Sequence, residues 1–306
     1  MFLRVYNANC IDIMDELIKQ GETVDLTITS PPYDNLRSYN GIGDEWNFDV
    51  FKDVADRLYK ITREGCMVVW ICGDQVVKGS ETGTSFRQAL YFKEIGFNLL
   101  DTMIWEKDTS AFPSKQNSRR YSQIFEYMFV FCKGKPRTDY QLLCDKPNKW
   151  FGHTNFGQKT HYTRKGELIK GKTKFINPVP EFSIRNNVWK QNNAAKDGDK
   201  EFRHDAAFPL QLIIDHIKSW SVEGDTVFDP FSGGGTTGVA CIKTGRNFIG
   251  VEIVPEYYNN LMLPRLRKHK TDEYVIEEHG KTEVKHDILL TSDMIDDIKE
   301  KAGKIH

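Results

Sequence analysis

Apolar residues follow two alternating rhythms along this chain. Short, nearly continuous runs at 26–29, 66–72, 126–132, 226–228 and 247–251 read as buried strands. Between them lie stripes of helical spacing. One is Val50, Phe51, Val54, Leu58 and Ile61; another is Leu210, Ile213, Ile214, Ile217 and Trp220, which Pro209 introduces. Residues 85–93 and 236–243 also read as helices, and Gly96 opens a strand through Leu99 to Trp105. Strands alternating with helical crossovers predict an α/β fold whose mostly parallel sheet carries helices on both faces.

This rhythm fails after residue 132, where charge becomes the informative signal. Lys or Arg stands at 133, 135, 137, 146, 149, 159, 164, 165, 170, 172 and 174, opposed only by Asp139, Asp145 and Glu167. Tyr140, Trp150, Phe151, Phe156, Tyr162 and Phe175 are interleaved with them. The stretch is expected to be a loop-rich insertion with a basic face. From 271 onward ten acidic residues face five lysines, which predicts a peripheral helix-and-strand appendage or a partly disordered end. The net charge of −1 means that any affinity for nucleic acid must come from local asymmetry. With 39% hydrophobic and 28% charged residues the chain is expected to fold, and its longest apolar run, 66–72, is too short to span a bilayer. Arg4 interrupts the N-terminal apolar stretch, so no signal peptide is expected there. The six cysteines form no C-x-x-C pair. Reduced thiols, a cytoplasmic location and no metal are the expectations.

Two segments carry chemistry. In Asp229-Pro230-Phe231-Ser232-Gly233-Gly234-Gly235-Thr236-Thr237-Gly238 a strand runs through a glycine turn into a helix, and the next strand ends in Glu252. Glycines let a ligand approach the backbone, the helix N-terminus offers free N–H groups, and an acid about 20 residues on suits ribose hydroxyls. Asp229 suits a cationic ligand group, such as an α-ammonium, better than a pyrophosphate. The glycine spacing alone also fits a nicotinamide enzyme or a turn that binds nothing. The second segment, Thr29-Ser30-Pro31-Pro32-Tyr33, ends a strand. Two prolines make a stiff loop with carbonyls and no N–H donors. Such a loop can accept hydrogen bonds from an exocyclic amine while Tyr33 stacks on a base.

Together the segments resemble the amino-methylating DNA methyltransferases of the β group, in which the catalytic loop precedes the cofactor turn. The resemblance spans about residues 1–268. It implies a Rossmann-like S-adenosylmethionine-dependent methyltransferase fold with a mixed, mostly parallel sheet, permuted motif order and an inserted target-recognition region. The division it implies is a catalytic half (1–132), a basic recognition insertion (133–200), a cofactor-binding half (201–268) and an acidic appendage (269–306). It gives Ser30, Pro31, Pro32 and Tyr33 the catalytic role. Cofactor contacts would come from Asp229, Phe231, Ser232, Gly233, Gly235, Thr236 and Thr237, from Glu252 at the ribose, and from Phe208 and Pro209. Two departures stand out. Ala8-Asn9 replaces the family's Gly-Asp, leaving Asn9 a single amide oxygen for the adenine amine, and Gly234 replaces a commoner serine and should loosen the turn.

Duplex DNA is the implied substrate, with a cognate restriction endonuclease admitted as a partner and no membrane involved. Arg37, Tyr39, Arg119, Arg120, Lys149, Lys159 and Arg164 are the candidate DNA contacts. The target amine is hidden in a duplex, so the base must flip out. In the family Ser at the first loop position goes with N4-cytosine and Asp more with N6-adenine. Ser30 therefore favours cytosine, with adenine as the alternative. A protein-glutamine methyltransferase or a non-catalytic DNA-binding protein fits less well.

Overall fold

The computed structural model describes residues 1–32, 46–108, 119–174, 177–191, 199–202 and 208–279. Its centre is a nine-stranded sheet. The strands and helices that build it are, in chain order, β1 (Phe2–Asn7), α1 (Cys10–Gln20), β2 (Val24–Thr29), α2 (Phe48–Ile61), β3 (Thr62–Cys72), the small hairpin β4 (Val76–Val77) and β5 (Ser80–Glu81), α3 (Thr84–Glu94), β6 (Phe97–Glu106) and β7 (Phe125–Lys133). The basic region then contributes β8 (Lys146–Pro147), β9 (Asn155–Tyr162), β10 (Leu168–Lys174), β11 (Phe182–Ser183) and β12 (Val188–Lys190). The chain returns through α4 (Leu210–Trp220), β13 (Thr226–Asp229), α5 (Thr236–Thr244), β14 (Asn247–Glu252), α6 (Pro255–Tyr257), a π-helical turn at Tyr258–Met262, α7 (Leu263–His269) and β15 (Val275–His279).

Sheet order is β12-β6-β7-β3-β2-β13-β14-β1-β15. Every pairing is parallel except those of β7, which runs against both β3 and β6. Burial explains why the strands were legible. Along β3, Met67, Val69 and Ile71 enter one apolar cluster with α4 and α5, while Val68, Trp70 and Cys72 enter another with α1, α2 and α3. A strand covered on both faces is apolar throughout.

The topology positions a cleft. After β2 the chain leads to α2 on one face of the sheet, and after the neighbouring β13 it leads to α5 on the other. The carboxyl ends of two adjacent strands whose connections diverge in this way form the crevice where open α/β sheets bind ligands.

Two features differ from the sequence expectation. β1 and α1 were not anticipated, although α1 carries a side-chain cap at Asn9 and a left-handed Gly21 at its end. The basic stretch is not all loop, since β9 and β10 pair as an antiparallel hairpin and β12 joins the edge of the main sheet. Residues 155–162 and 168–174 are mostly polar, with Phe156, Tyr162, Leu168 and Ile169 too few to set an alternating period. The acidic segment opens with an edge strand, as a helix-and-strand appendage would: β15 pairs in parallel with β1. No helix among the described residues is long and apolar enough to cross a membrane.

Candidate active site

The two sequence motifs meet at the carboxyl ends of β2 and β13. Thr29, the last residue of β2, donates its hydroxyl to Asp229 Oδ1 at 2.7 Å. Thr237 on α5 donates to Asp229 Oδ2 at 2.6 Å, and the Phe231 amide donates to Oδ1 at 3.1 Å. One buried carboxylate thus ties the strand that leads into Ser30-Pro31-Pro32 to both sides of the glycine turn. Burial pushes the Asp229 carboxyl up to about 6, against the lowering effect of its three hydrogen bonds. Both oxygens are engaged by the protein, so its negative charge underlies the turn. Pro31 is buried, and Ser30 and Pro32 are half-buried.

The turn is bonded to itself and to the adjoining strand. Ser232 N donates to Val251 O at 2.9 Å, Ser232 Oγ to Asp229 O at 2.9 Å, and Gly235 N to Ser232 O at 2.8 Å. Gly235 caps α5 with φ 74°, and a Cβ there would lie 2.9 Å from Met262 Cγ. At Gly238 a Cβ would lie 2.6 Å from Leu266 Cδ2, so this glycine lets α5 sit against α7.

Glu252 ends β14 as the sequence predicted. Its Oε2 accepts from Gly233 N at 2.7 Å and its Oε1 from Val254 N at 2.8 Å. Each oxygen keeps acceptor capacity for one hydroxyl of a vicinal pair. Burial raises this carboxyl to about 7. Asn7, which sequence reasoning missed, donates Nδ2 to Glu252 O at 2.8 Å and braces the strand end. Asn9 is exposed, and its amide oxygen accepts from Ile11 N at 3.0 Å as the N-cap of α1.

Aromatic rings flank the strand ends in two separate groups, one in each apolar cluster. Phe231 meets Trp46 edge-on at 5.2 Å and Trp70 at 6.4 Å. Phe208 packs edge-on against Trp105 at 6.4 Å, and Pro209 is the buried residue before α4. Trp46 was not singled out from sequence, and Thr29 opened the proline motif with no role of its own. Thr29 stood next to the proline loop, but its partner is 200 residues away.

The candidate DNA contacts are dispersed. Arg119, Lys149 and Arg164 are exposed. The Arg120 guanidinium is occupied by Glu81 at 3.2 Å and by the Gly79 carbonyl. Lys159 lies on β9. Tyr33, Arg37 and Tyr39 lie outside the described residues. Beside Lys149 a turn exposes Trp150 and Phe151, with backbone bonds from Gly152 N to Val179 O and from Val179 N to His153 O, both 3.0 Å. Among the described residues no group of three or more His, Cys, Asp or Glu side chains could hold a metal ion.

These observations describe a mostly parallel α/β sheet with the proline and glycine motifs joined at one crevice, and comparison with known proteins gives its class. The family model for DNA methylases matches residues 24–263, and the chain belongs to that family. An orphan methyltransferase of Bacillus amyloliquefaciens, M.BamHII, is 51% identical over 239 residues, covering 77% of this chain and 86% of its own. The DNA adenine methyltransferase YhdJ of Escherichia coli K12 is 27% identical over 247 residues, covering 80% and 78%. The crystal structure of the M1.HpyAVI complex with S-adenosylmethionine superposes with a TM-score of 0.54 at 24% identity, over 87% of this chain and 100% of that one. The protein is therefore a DNA amino-methyltransferase, and S-adenosylmethionine is its cofactor. The residues present suit that cofactor: an acceptor pair at Glu252, a turn without side chains at 233–235, and a buried anion at Asp229.

Proposed function

We propose that this protein is a site-specific methyltransferase that modifies the exocyclic N4 of a cytosine flipped out of duplex DNA. The observation that carries this reading is the Thr29–Asp229 hydrogen bond, which brings the proline loop and the glycine turn to one cleft. Glu252 would hold the ribose hydroxyls, Asp229 would supply negative charge near the α-ammonium, and Phe231, Ser232, Gly233, Gly235, Thr236, Thr237, Phe208, Pro209 and Asn9 would line the rest. When bound, S-adenosylmethionine supplies an electrophilic methyl group on a sulfonium sulfur.

The chain's own task is to hold the amine. An exocyclic amine is a poor nucleophile because its lone pair is delocalised into the ring. Ser30 and the Pro31 carbonyl would accept its two N–H groups and favour a pyramidal nitrogen with a localised lone pair. Tyr33 would stack on the extruded base. Ser30 at the head of the loop supports cytosine. The alternative, N6 of adenine, is favoured by the relative YhdJ, whose name states that base. The basic insertion 133–200 is assigned the recognition role between the halves 1–132 and 201–268, with 269–306 as an appendage.

Transfer of labelled methyl from S-adenosylmethionine to a library of duplexes tests the activity. Label should enter DNA, and Tyr33→Ala should lower the single-turnover rate far more than cofactor affinity. Equal losses in both would contradict the stacking role. DNA affinity should fall steeply with salt. Lys149→Ala and Arg164→Ala should each weaken all duplexes alike and reduce the log–log slope by about 1. Arg120→Ala should do less, since its guanidinium already has partners.

Cofactor affinity should depend on pH. In the free protein Glu252 is half protonated near pH 7. Ribose hydroxyls donate to the carboxylate, so binding favours the ionised form. Affinity should rise from pH 6 to 8, with proton release that titration calorimetry in two buffers reads. Glu252→Gln should remove both the slope and the proton release. The same raised pKa makes Glu252 cost stability as pH climbs from about 4.5 to about 7, because the folded state retains the proton longer.

A further inference from the structure

The glycine turn has a second support, from outside both motifs. On α7, Arg265, Lys268 and His269 stand at i, i+3 and i+4 and so share one face. Arg265 is buried, and its Nη1 donates to Gly234 O at 3.2 Å and to Thr236 Oγ1 at 2.8 Å. Its Nε donates to Asp199 Oδ2 at 3.1 Å. Asp199 is buried too, and also meets Lys268 Nζ at 3.0 Å and His269 Nε2 at 2.8 Å. Burial alone would push this carboxyl up, but the three hydrogen bonds outweigh it and hold it at about 2. It is an anion at every working pH.

The placement of Arg265 is costly unless the turn needs it. A cation beside the N-terminus of α5 opposes the helix dipole. Asp199 offsets that cost. What the guanidinium secures is the peptide at Gly234, which lies between Gly233 at φ 50° and Gly235 at φ 74°. Three successive glycines leave this segment the most freedom to rotate and the most entropy to lose on ordering. Where a serine would stiffen the turn, Arg265 restrains it by fixing the Gly234 carbonyl and orienting the Thr236 hydroxyl. Its planar fork reaches Gly234, Thr236 and Asp199 together, which an ammonium on a flexible stem does not.

We propose that Arg265, held by Asp199, is a positioning residue for the cofactor: it sets the conformation of the glycine turn and thereby the affinity for S-adenosylmethionine, without touching the methyl-transfer step. This rests on the reading of the turn as the cofactor site.

The test compares the unaltered protein with Arg265→Lys, Arg265→Ala, Asp199→Asn and Lys268→Ala. Cofactor dissociation constants come from calorimetry, kcat at saturating cofactor from methyl transfer, and folding from thermal melts. Arg265→Lys should raise the cofactor dissociation constant about tenfold or more and keep kcat within twofold. Asp199→Asn, which keeps the shape but weakens the grip on Arg265, should raise it severalfold. Lys268→Ala removes an Asp199 partner that does not reach the turn, and should stay within twofold. If Arg265→Ala fails to fold, the lysine and asparagine variants still decide. Unchanged affinity in both would overturn the proposal. So would a fall in kcat with unchanged affinity, or equal losses in Lys268→Ala and Arg265→Lys. Failure of the unaltered protein to bind S-adenosylmethionine would instead overturn the functional reading beneath it.

Discussion

Asp229→Ala is expected to abolish detectable methyl transfer and to lower the melting temperature by roughly 5–10 °C. The reason is the number of groups that depend on one carboxylate. Thr29, Thr237 and the Phe231 amide all donate to it, and all are left without an acceptor at the junction of the two motifs. Each stranded buried donor costs about 1–3 kcal/mol, less whatever water recovers. Asp229→Asn separates structure from charge. The amide keeps one acceptor oxygen for Thr29 and Phe231, and the Thr237 hydroxyl can rotate to accept from the new NH2. Burial raises the native carboxyl to about 6, so the carboxylate, still the main form at neutral pH, costs the folded state stability there, and its removal should leave the melting temperature unchanged or slightly higher. Cofactor affinity should nevertheless fall about 10- to 100-fold, or ~1.4–2.7 kcal/mol. Calorimetry and a thermal melt on the two variants check this. Normal cofactor affinity in Asp229→Asn would show that the charge beneath the turn plays no part in binding.

Ser30→Ala should leave the melting temperature and cofactor affinity close to those of the unaltered protein while slowing the chemical step about 100-fold. Ser30 follows Thr29 directly and is half-buried at the mouth of the cleft. Its hydroxyl would accept from the amine as the nitrogen lone pair localises, an interaction that strengthens toward the transition state. Deleting one preorganised polar group of that kind typically costs about 2.7–4 kcal/mol of barrier. Single-turnover transfer at saturating cofactor and DNA reads the effect without contributions from product release. A rate within threefold of the unaltered enzyme would leave the proline carbonyls as the only acceptors and remove the physical basis for linking Ser30 to base choice.

Much of this site was legible because its chemistry is local in sequence. The turn from Asp229 to Thr237 and the acid at Glu252 belong to one strand–helix–strand unit, and the proline loop is four consecutive residues. The strands that carry them were legible because both faces are covered, so Val68, Val69 and Trp70 are all apolar. What joins the motifs was not legible. Thr29 meets Asp229 across 200 positions and Arg265 meets Asp199 across 66, and neither pairing leaves a periodic or compositional trace. The hairpin of β9 and β10 was missed for a different reason: it lacks the apolar alternation of a half-buried strand.

In the proposed function the proline loop and the glycine turn form one cleft that methylates the amine of a DNA base, with cytosine as that base. Its most direct test is nucleoside mass spectrometry on duplex DNA treated with the pure protein and isotopically labelled S-adenosylmethionine. Labelled N4-methylcytosine is the expected product. Labelled N6-methyladenine alone would overturn the choice of base, and DNA in which every cytosine and adenine stays unlabelled would contradict the site itself.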